Sequence, residues 1–262
     1  VKDAFHRYVV QSETTAVNPA ATGTKAAALY QISLPPGGSQ EIKLRLSRRE
    51  TSTPFAEFDT LFTQKINEAD AFYALVQSQK LPEELKLIQR RAFAGLLWSK
   101  QFYSFDIEQW LNGDPIAPIQ REHLRNQYWD HLSAFDILSV PDKWEYPYFC
   151  SWDTSFHALA LLLIDPDFAK RQLELLTREW YIHPNGQLPA YEWNFSDVNP
   201  PVLAWSAWRS YKIDAKITGQ QDRNFIKGIF NKLLLNFTWW VNRKDALGNN
   251  IFQGGFLGLD NI

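Results

Sequence analysis

A mainly α-helical domain, preceded by the end of an antiparallel β domain, is the fold class this sequence predicts. From residue 55 onward apolar residues recur at spacings of three and four, the period of a helix with one buried face. Before residue 50 they alternate with polar residues at period two, the pattern of a half-buried strand. No regular strand–helix alternation runs through the chain, which argues against a doubly wound parallel sheet. At 262 residues the chain is one large domain or two modest ones, and it is long enough to bury a sizeable core without metal or disulfide staples.

The elements follow in order. Ala26–Leu34 and Glu41–Ser47 read as strands around the turn Pro35-Pro36-Gly37-Gly38. A lone pair of strands is marginal in water, so these are expected to be the C-terminal strands of a β-rich domain over residues 1–50. Residues 51–82 are expected to be a linker and connecting helix. Within them Phe58, Leu61, Phe62, Ile66, Ala69, Phe72 and Tyr73 mark one helical face. Residues 83–262 are then the first part of a helical domain. Pro82 suits the first turn of a helix running to about Tyr103. Gly113–Gln127 reads as a loop. Helices are expected at Thr154–Ile164, Pro166–Tyr181, Pro200–Ile217 and Asp222–Asn242, followed by a glycine-rich segment, Asp245–Ile262.

Composition excludes several function classes. Lys+Arg 27 against Asp+Glu 29 leaves a net charge of −2, so no basic excess points to nucleic acid or an anionic membrane. The longest apolar run, Ala158–Ile164, is far short of a membrane span. The single Cys150 rules out an internal disulfide framework and favours a reducing, cytoplasmic setting. The chain starts at Val1 and contains no Met, and it reads as a piece of a longer polypeptide. Oligomeric state is not legible.

The informative bias is aromatic, with Trp 11, Tyr 10 and Phe 18. Large aromatics dominate ordinary cores, so the bias alone is a packing signal. Its placement beside carboxylates is the functional one. Pro141–His157 holds Trp144, Trp152, Asp153 and Phe156 in a loop that ends at a helix start. Asp153 has two readings there: an N-cap accepting hydrogen bonds from the first turn, or a carboxyl among rings whose raised pKa lets it donate a proton. His157 stands four residues later on the same face, and it reads as a packed, hydrogen-bonded histidine rather than a metal ligand, since no third ligand sits at a suggestive spacing. Glu192 lies between Tyr191 and Trp193 with Asn194 beside them, which supplies ring faces and hydrogen-bond partners for a sugar. It also reads as a solvated loop acid. No serine-hydrolase elbow or dinucleotide fingerprint is present, the sequons at Asn194 and Asn236 fall in aromatic context and read as chance, and no cofactor is implied.

Trp152-Asp153-Thr154-Ser155-Phe156-His157 is similar to the W-D-x-x-F-H motif of glycoside hydrolase family 63, the group of processing α-glucosidase I and its bacterial relatives. A second block, Gly186–Glu192 followed by Asn199-Pro200-Pro201, resembles the family's G-x-[IL]-x-x-x-E and N-P-P. The likeness runs over about residues 85–262 and is strongest toward bacterial glucosidase- and mannosylglycerate-hydrolase-like members. It implies an (α/α)6 barrel preceded by a β-rich domain, and an inverting mechanism on an α-glucosidic or α-mannosidic bond. Asp153 matches the general acid. Glu192 matches an acidic substrate-binding position, with Trp144, Trp152, Phe156, Trp193 and Asn194 as its aromatic and polar company. The general base is expected beyond Ile262. Tyr191 stands where eukaryotic members carry an arginine. The competing readings are a non-catalytic carbohydrate-binding protein using the same loops, and an interaction scaffold in which the aromatics are only core.

Overall fold

The computed structural model describes residues 3–113, 129–140, 142–143, 149–192, 194–195, 198–242 and 247–249. The chain divides into two compact units, Val1–Lys65 and Ile66–Ile262.

The first unit holds helix α1 (Asp3–Val10), a short 3-10 turn at Thr14–Ala16 and the start of α2 (Phe58–Val76). None of its described residues is buried. The turn at Pro35–Gly38 forms, with the Gly38 amide donating to the Pro35 carbonyl at 2.9 Å and Gly37 at φ 72°. The flanking segments Ala26–Leu34 and Glu41–Ser47, expected to be strands, are not: they run without ladder hydrogen bonds, and Leu29, Ile32, Leu34, Leu44 and Leu46 are exposed. Alternation makes a strand only where a partner covers the apolar side, and among the described residues nothing covers it. What holds residues 41–47 is local. Lys43 bonds Asp59 at 2.6 Å and lies over the Phe58 ring, while Arg45 donates to the Pro54 carbonyl at 2.8 Å.

The second unit carries the core. Helix α3 (Glu83–Trp98) begins after Pro82 with Glu83 and Glu84 in its first turn, where acids face the positive helix end. It stops at Ser99, short of the expected Tyr103. Lys100–Asp106 is instead strand β1, paired antiparallel with β2 (Ser133–Ser139) so that Tyr103 faces Asp136 and Lys100 faces Ser139. Along this pair burial alternates: Tyr103, Ala134 and Leu138 are buried, while Phe102 and Phe135 meet edge to face on the outer side at 4.7 Å. Helix α4 (Ile107–Asn112) follows β1 directly, capped by Asp106, whose carboxylate accepts from the Gln109 amide at 3.1 Å.

The four remaining helices are α5 (Ser151–Leu161), α6 (Pro166–Leu176), α7 (Val202–Thr218) and α8 (Arg223–Asn242), each within a few residues of its expected span. Short turns join α5 to α6 and α7 to α8, and the two hairpins lie side by side with α5 against α7 and α6 against α8. Ala158, Leu161, Ala169, Leu173, Leu176, Ala207 and Ile229 fill the interior between them. Asp165 caps α6 through the Phe168 amide and holds Lys100 at 2.5 Å, and Asp222 caps α8 through the Phe225 amide while bonding Lys170 at 2.8 Å. Lys170 also reaches Asp214 at 3.1 Å, so one ammonium ties α6, α7 and the start of α8 together. The described residues are thus mainly helical with one small sheet. Paired helix hairpins are the repeating unit of (α/α) architectures, and no closed barrel is formed among the described residues.

Candidate active site

The candidate site gathers at the start of α5. Cys150, in extended conformation, is the residue before the helix, and its carbonyl accepts from both the Thr154 amide and the Thr154 hydroxyl. Asp153 therefore lies inside the first turn rather than at the N-cap, and its carboxylate accepts from its own amide there. It is half-buried and forms no salt bridge among the described residues. Burial raises its pKa; the neighbouring His157, the residue's own amide and the Cys150 thiol oppose that rise without cancelling it. A carboxyl in this state holds its proton more readily than a surface aspartate and can pass it on.

The second segment is fastened to the first by backbone. Cys150 and Tyr191 form an isolated antiparallel bridge. The Ala190 carbonyl accepts from the Ser151 amide at 3.1 Å, the Ser151 hydroxyl at 3.2 Å and the Asn199 side-chain amide at 2.9 Å. Beyond the bridge the chain turns tightly: the Asn194 amide donates to the Tyr191 carbonyl, and the Ala190 amide donates to the Asn194 carbonyl, both at 2.9 Å. This places Glu192 one residue past the bridge and Asp153 three residues past it. The two acids the sequence singles out are held on one backbone junction.

Glu192 is also fixed through its side chain. Its Oε1 accepts from the Tyr103 hydroxyl at 3.0 Å. Tyr103 comes from the inward face of β1, and its hydroxyl also meets the Phe149 backbone; burial and the Glu192 charge push its pKa up, so it is a neutral donor throughout the working pH range. Tyr181, fully buried against Phe149 with ring centroids 5.0 Å apart, donates to Asp136 on the opposite strand at 3.3 Å. Sequence reasoning did not find Tyr103. No polar–apolar alternation in 101–105 marks its strand, and its bond to Glu192 spans 89 positions, beyond any local pattern.

The expected binding residues divide. Trp152 and Phe156 stand edge to face at 6.2 Å, and Phe156, at 45% exposure, continues to Trp205 of α7 at 5.8 Å. Asn194 is buried in the turn. The adjoining Phe195 packs edge to face on Trp129 and His183. Trp144 and Trp193 lie outside the described residues. Asn236, the second sequon, is buried and donates to the Gly186 carbonyl at 2.8 Å, so its amide serves packing. A cavity of about 30 Å³ beside Trp152, lined also by Trp239 and Trp240, has room for water rather than a sugar ring. A hollow of about 920 Å³ runs along the outer sheet face past Phe102, Phe135 and Arg171, and none of the expected site residues lines it. No three metal-ligating side chains come together among the described residues. No described helix is long and apolar enough to cross a membrane.

Residues 146–253 match the family model of the mannosylglycerate hydrolase MGH1-like glycoside hydrolase domain. The match contains both Asp153 and Glu192, and it bears out the resemblance to the mannosylglycerate-hydrolase-like side of glycoside hydrolase family 63. An uncharacterized protein of Saccharomyces cerevisiae is 53% identical over 276 residues, an alignment covering 100% of this chain and 25% of that protein. The chain thus spans about a quarter of the length of this relative. The family model that matches is thus that of a glycoside hydrolase domain.

Proposed function

We propose that this chain contributes the acid side of an inverting α-glycosidase, within an (α/α)6 barrel, acting on an α-glucosidic or α-mannosidic bond. The observation that carries this reading is the state of Asp153: inside the first turn of α5, half-buried and with its pKa raised by that burial. Asp153 protonates the departing glycosidic oxygen. Glu192, oriented by Tyr103, accepts hydrogen bonds from sugar hydroxyls. Trp152 and Phe156 offer ring faces to the sugar's C–H surfaces, together with Trp144, Trp193 and the polar Asn194. The lone buried Cys150 fits a reducing, cytoplasmic compartment.

Inversion requires a second carboxylate about 6.5–9.5 Å from the acid, leaving room for the attacking water. We assign Glu192 to the sugar, and the base is sought in the longer polypeptide. The test therefore uses a polypeptide of the length of the yeast relative. It is incubated with α-glucosides, α-mannosides and α-glycosides of glycerate, and the first-formed product anomer is read by NMR. A β-anomer released from one of these substrates is expected. A retained α-anomer would overturn the mechanism. Saturable sugar binding without turnover would replace the enzyme with a carbohydrate-binding protein.

A further inference from the structure

Helices α7 and α8 each expose one side, and the two sides differ in kind. On α8 the exposed stripe is Phe230, Leu234, Phe237 and Val241, helically spaced and uncharged, which is the composition of a face that packs on protein. On α7 the exposed stripe is Trp205, Trp208, Arg209 and Lys212. At 3.6 residues per turn these four fall within about a third of the helix circumference. Two cations therefore stand among the rings, and neither forms an ion pair among the described residues. A helix packed on this stripe would have to bury both cations with the rings, which is strongly unfavourable. The stripe has the make-up of a surface that stays wet and meets a polar ligand.

Its two tryptophans are not equivalent. Trp208 is engaged by its own helix: Tyr211 stacks on it at 5.6 Å, and the Lys212 ammonium stands 4.9 Å from its ring centre. Trp205 is 47% exposed, and its ring partner among the described residues is Phe156, at 5.8 Å and 58°. Phe156 meets Trp152 in turn at 6.2 Å. Three rings from two helices thus form one continuous surface, which begins at the neighbour of Asp153 and ends on α7. Each step along it is close to the length of one sugar unit. Such a surface suits the C–H faces of pyranose rings, and the Arg209 guanidinium beside Trp205 supplies N–H donors for their hydroxyls.

We infer that Trp205 is the platform of a second sugar subsite, with Arg209 as its hydrogen-bond donor, so that the substrate is an α-linked oligosaccharide of at least two units. The first unit lies on Trp152, Phe156 is shared, and the next unit lies on Trp205. This rests on the carbohydrate reading of the site and not on Asp153 being the acid.

The test uses a polypeptide of the length of the yeast relative, carrying Asp153→Asn to slow turnover. It is titrated calorimetrically with methyl α-glucoside, methyl α-mannoside and the α-linked glucobioses and mannobioses. Affinity is expected to rise on the order of tenfold from a methyl glycoside to a disaccharide of the same sugar. Trp205→Ala should remove that rise and leave methyl glycoside binding as it was. Trp205→Tyr, which keeps a ring face, should restore most of it, and Trp208→Ala should retain it. A disaccharide that binds no better than its methyl glycoside overturns the subsite alone. A Trp205→Ala variant with a lowered melting temperature and an intact rise assigns the ring to packing and also overturns it. Binding of none of these sugars overturns the subsite together with the carbohydrate reading.

Discussion

Residues 1–65 and residues 66–262 carry equally clear hydrophobic patterns, yet only the second set builds a core. The strand-like alternation of Leu29, Ile32, Leu34, Leu44 and Leu46 ends in exposed side chains. The segment around Tyr103, which shows no such alternation, ends in a paired strand, because β2 lies opposite in register and α5 and α6 pack nearby. Periodicity states which face a segment can bury. Whether it becomes structure depends on a partner arriving from elsewhere in the chain. The first unit is held by surface ion pairs such as Lys43–Asp59, each worth about 0–1 kcal/mol, whereas the second rests on apolar burial.

The widest gap between the two should be in hydrogen exchange. Amides from Leu29 to Leu46 are expected to exchange near their unprotected rates, and those of Leu161 and Leu173 orders of magnitude more slowly. Strong protection in the first group would break the contrast. Next in size is Leu173→Ala, which empties a fully buried position on α6 and should cost about 2–5 kcal/mol in denaturant unfolding. A loss under 1 kcal/mol would mean that the hairpins can collapse around the gap. Gly186→Ala comes third. Gly186 sits at φ 93°, and an added Cβ would lie 2.3 Å from the Leu235 carbonyl of α8. The backbone conformation alone should cost about 1–3 kcal/mol, with the turn pushed off α8 in addition. Wild-type melting would show that this approach is not tight. The smallest is Tyr103→Phe, which removes the Tyr103 hydrogen bond to Glu192 and should cost about 1–2 kcal/mol, read as weaker sugar binding more than as lost stability. Unchanged affinity would remove Glu192 from the sugar site.

Much of the helical part was legible in the sequence. Pro166 after Asp165, Asp222 before the last helix and Gly219 at the end of α7 punctuate it where their backbone preferences require. Asp153 and Glu192 were legible as acids among aromatics, and the structure places them on one junction. The route between them was not. The Cys150–Tyr191 bridge and the Asn199 bond to Ala190 are backbone and amide contacts that no local sequence pattern pairs. The sheet was missed because β1 follows α3 after one residue and sets Phe102 beside Tyr103, so no period-two pattern marks where the helix ends. The partner of His157, the Ser139 hydroxyl 3.1 Å from its Nδ1, comes from that sheet.

The claim that Asp153 is the proton donor is tested most directly by leaving-group dependence in the longer polypeptide. Rates of the parent and of Asp153→Asn are compared on an alkyl α-glycoside and on the dinitrophenyl α-glycoside of the same sugar. An alkoxide needs a proton to leave and dinitrophenolate does not. The account predicts a loss of about 10²–10⁴-fold on the alkyl substrate, shrinking to within about tenfold on the dinitrophenyl one. Equal losses on both, or none on either, would contradict it.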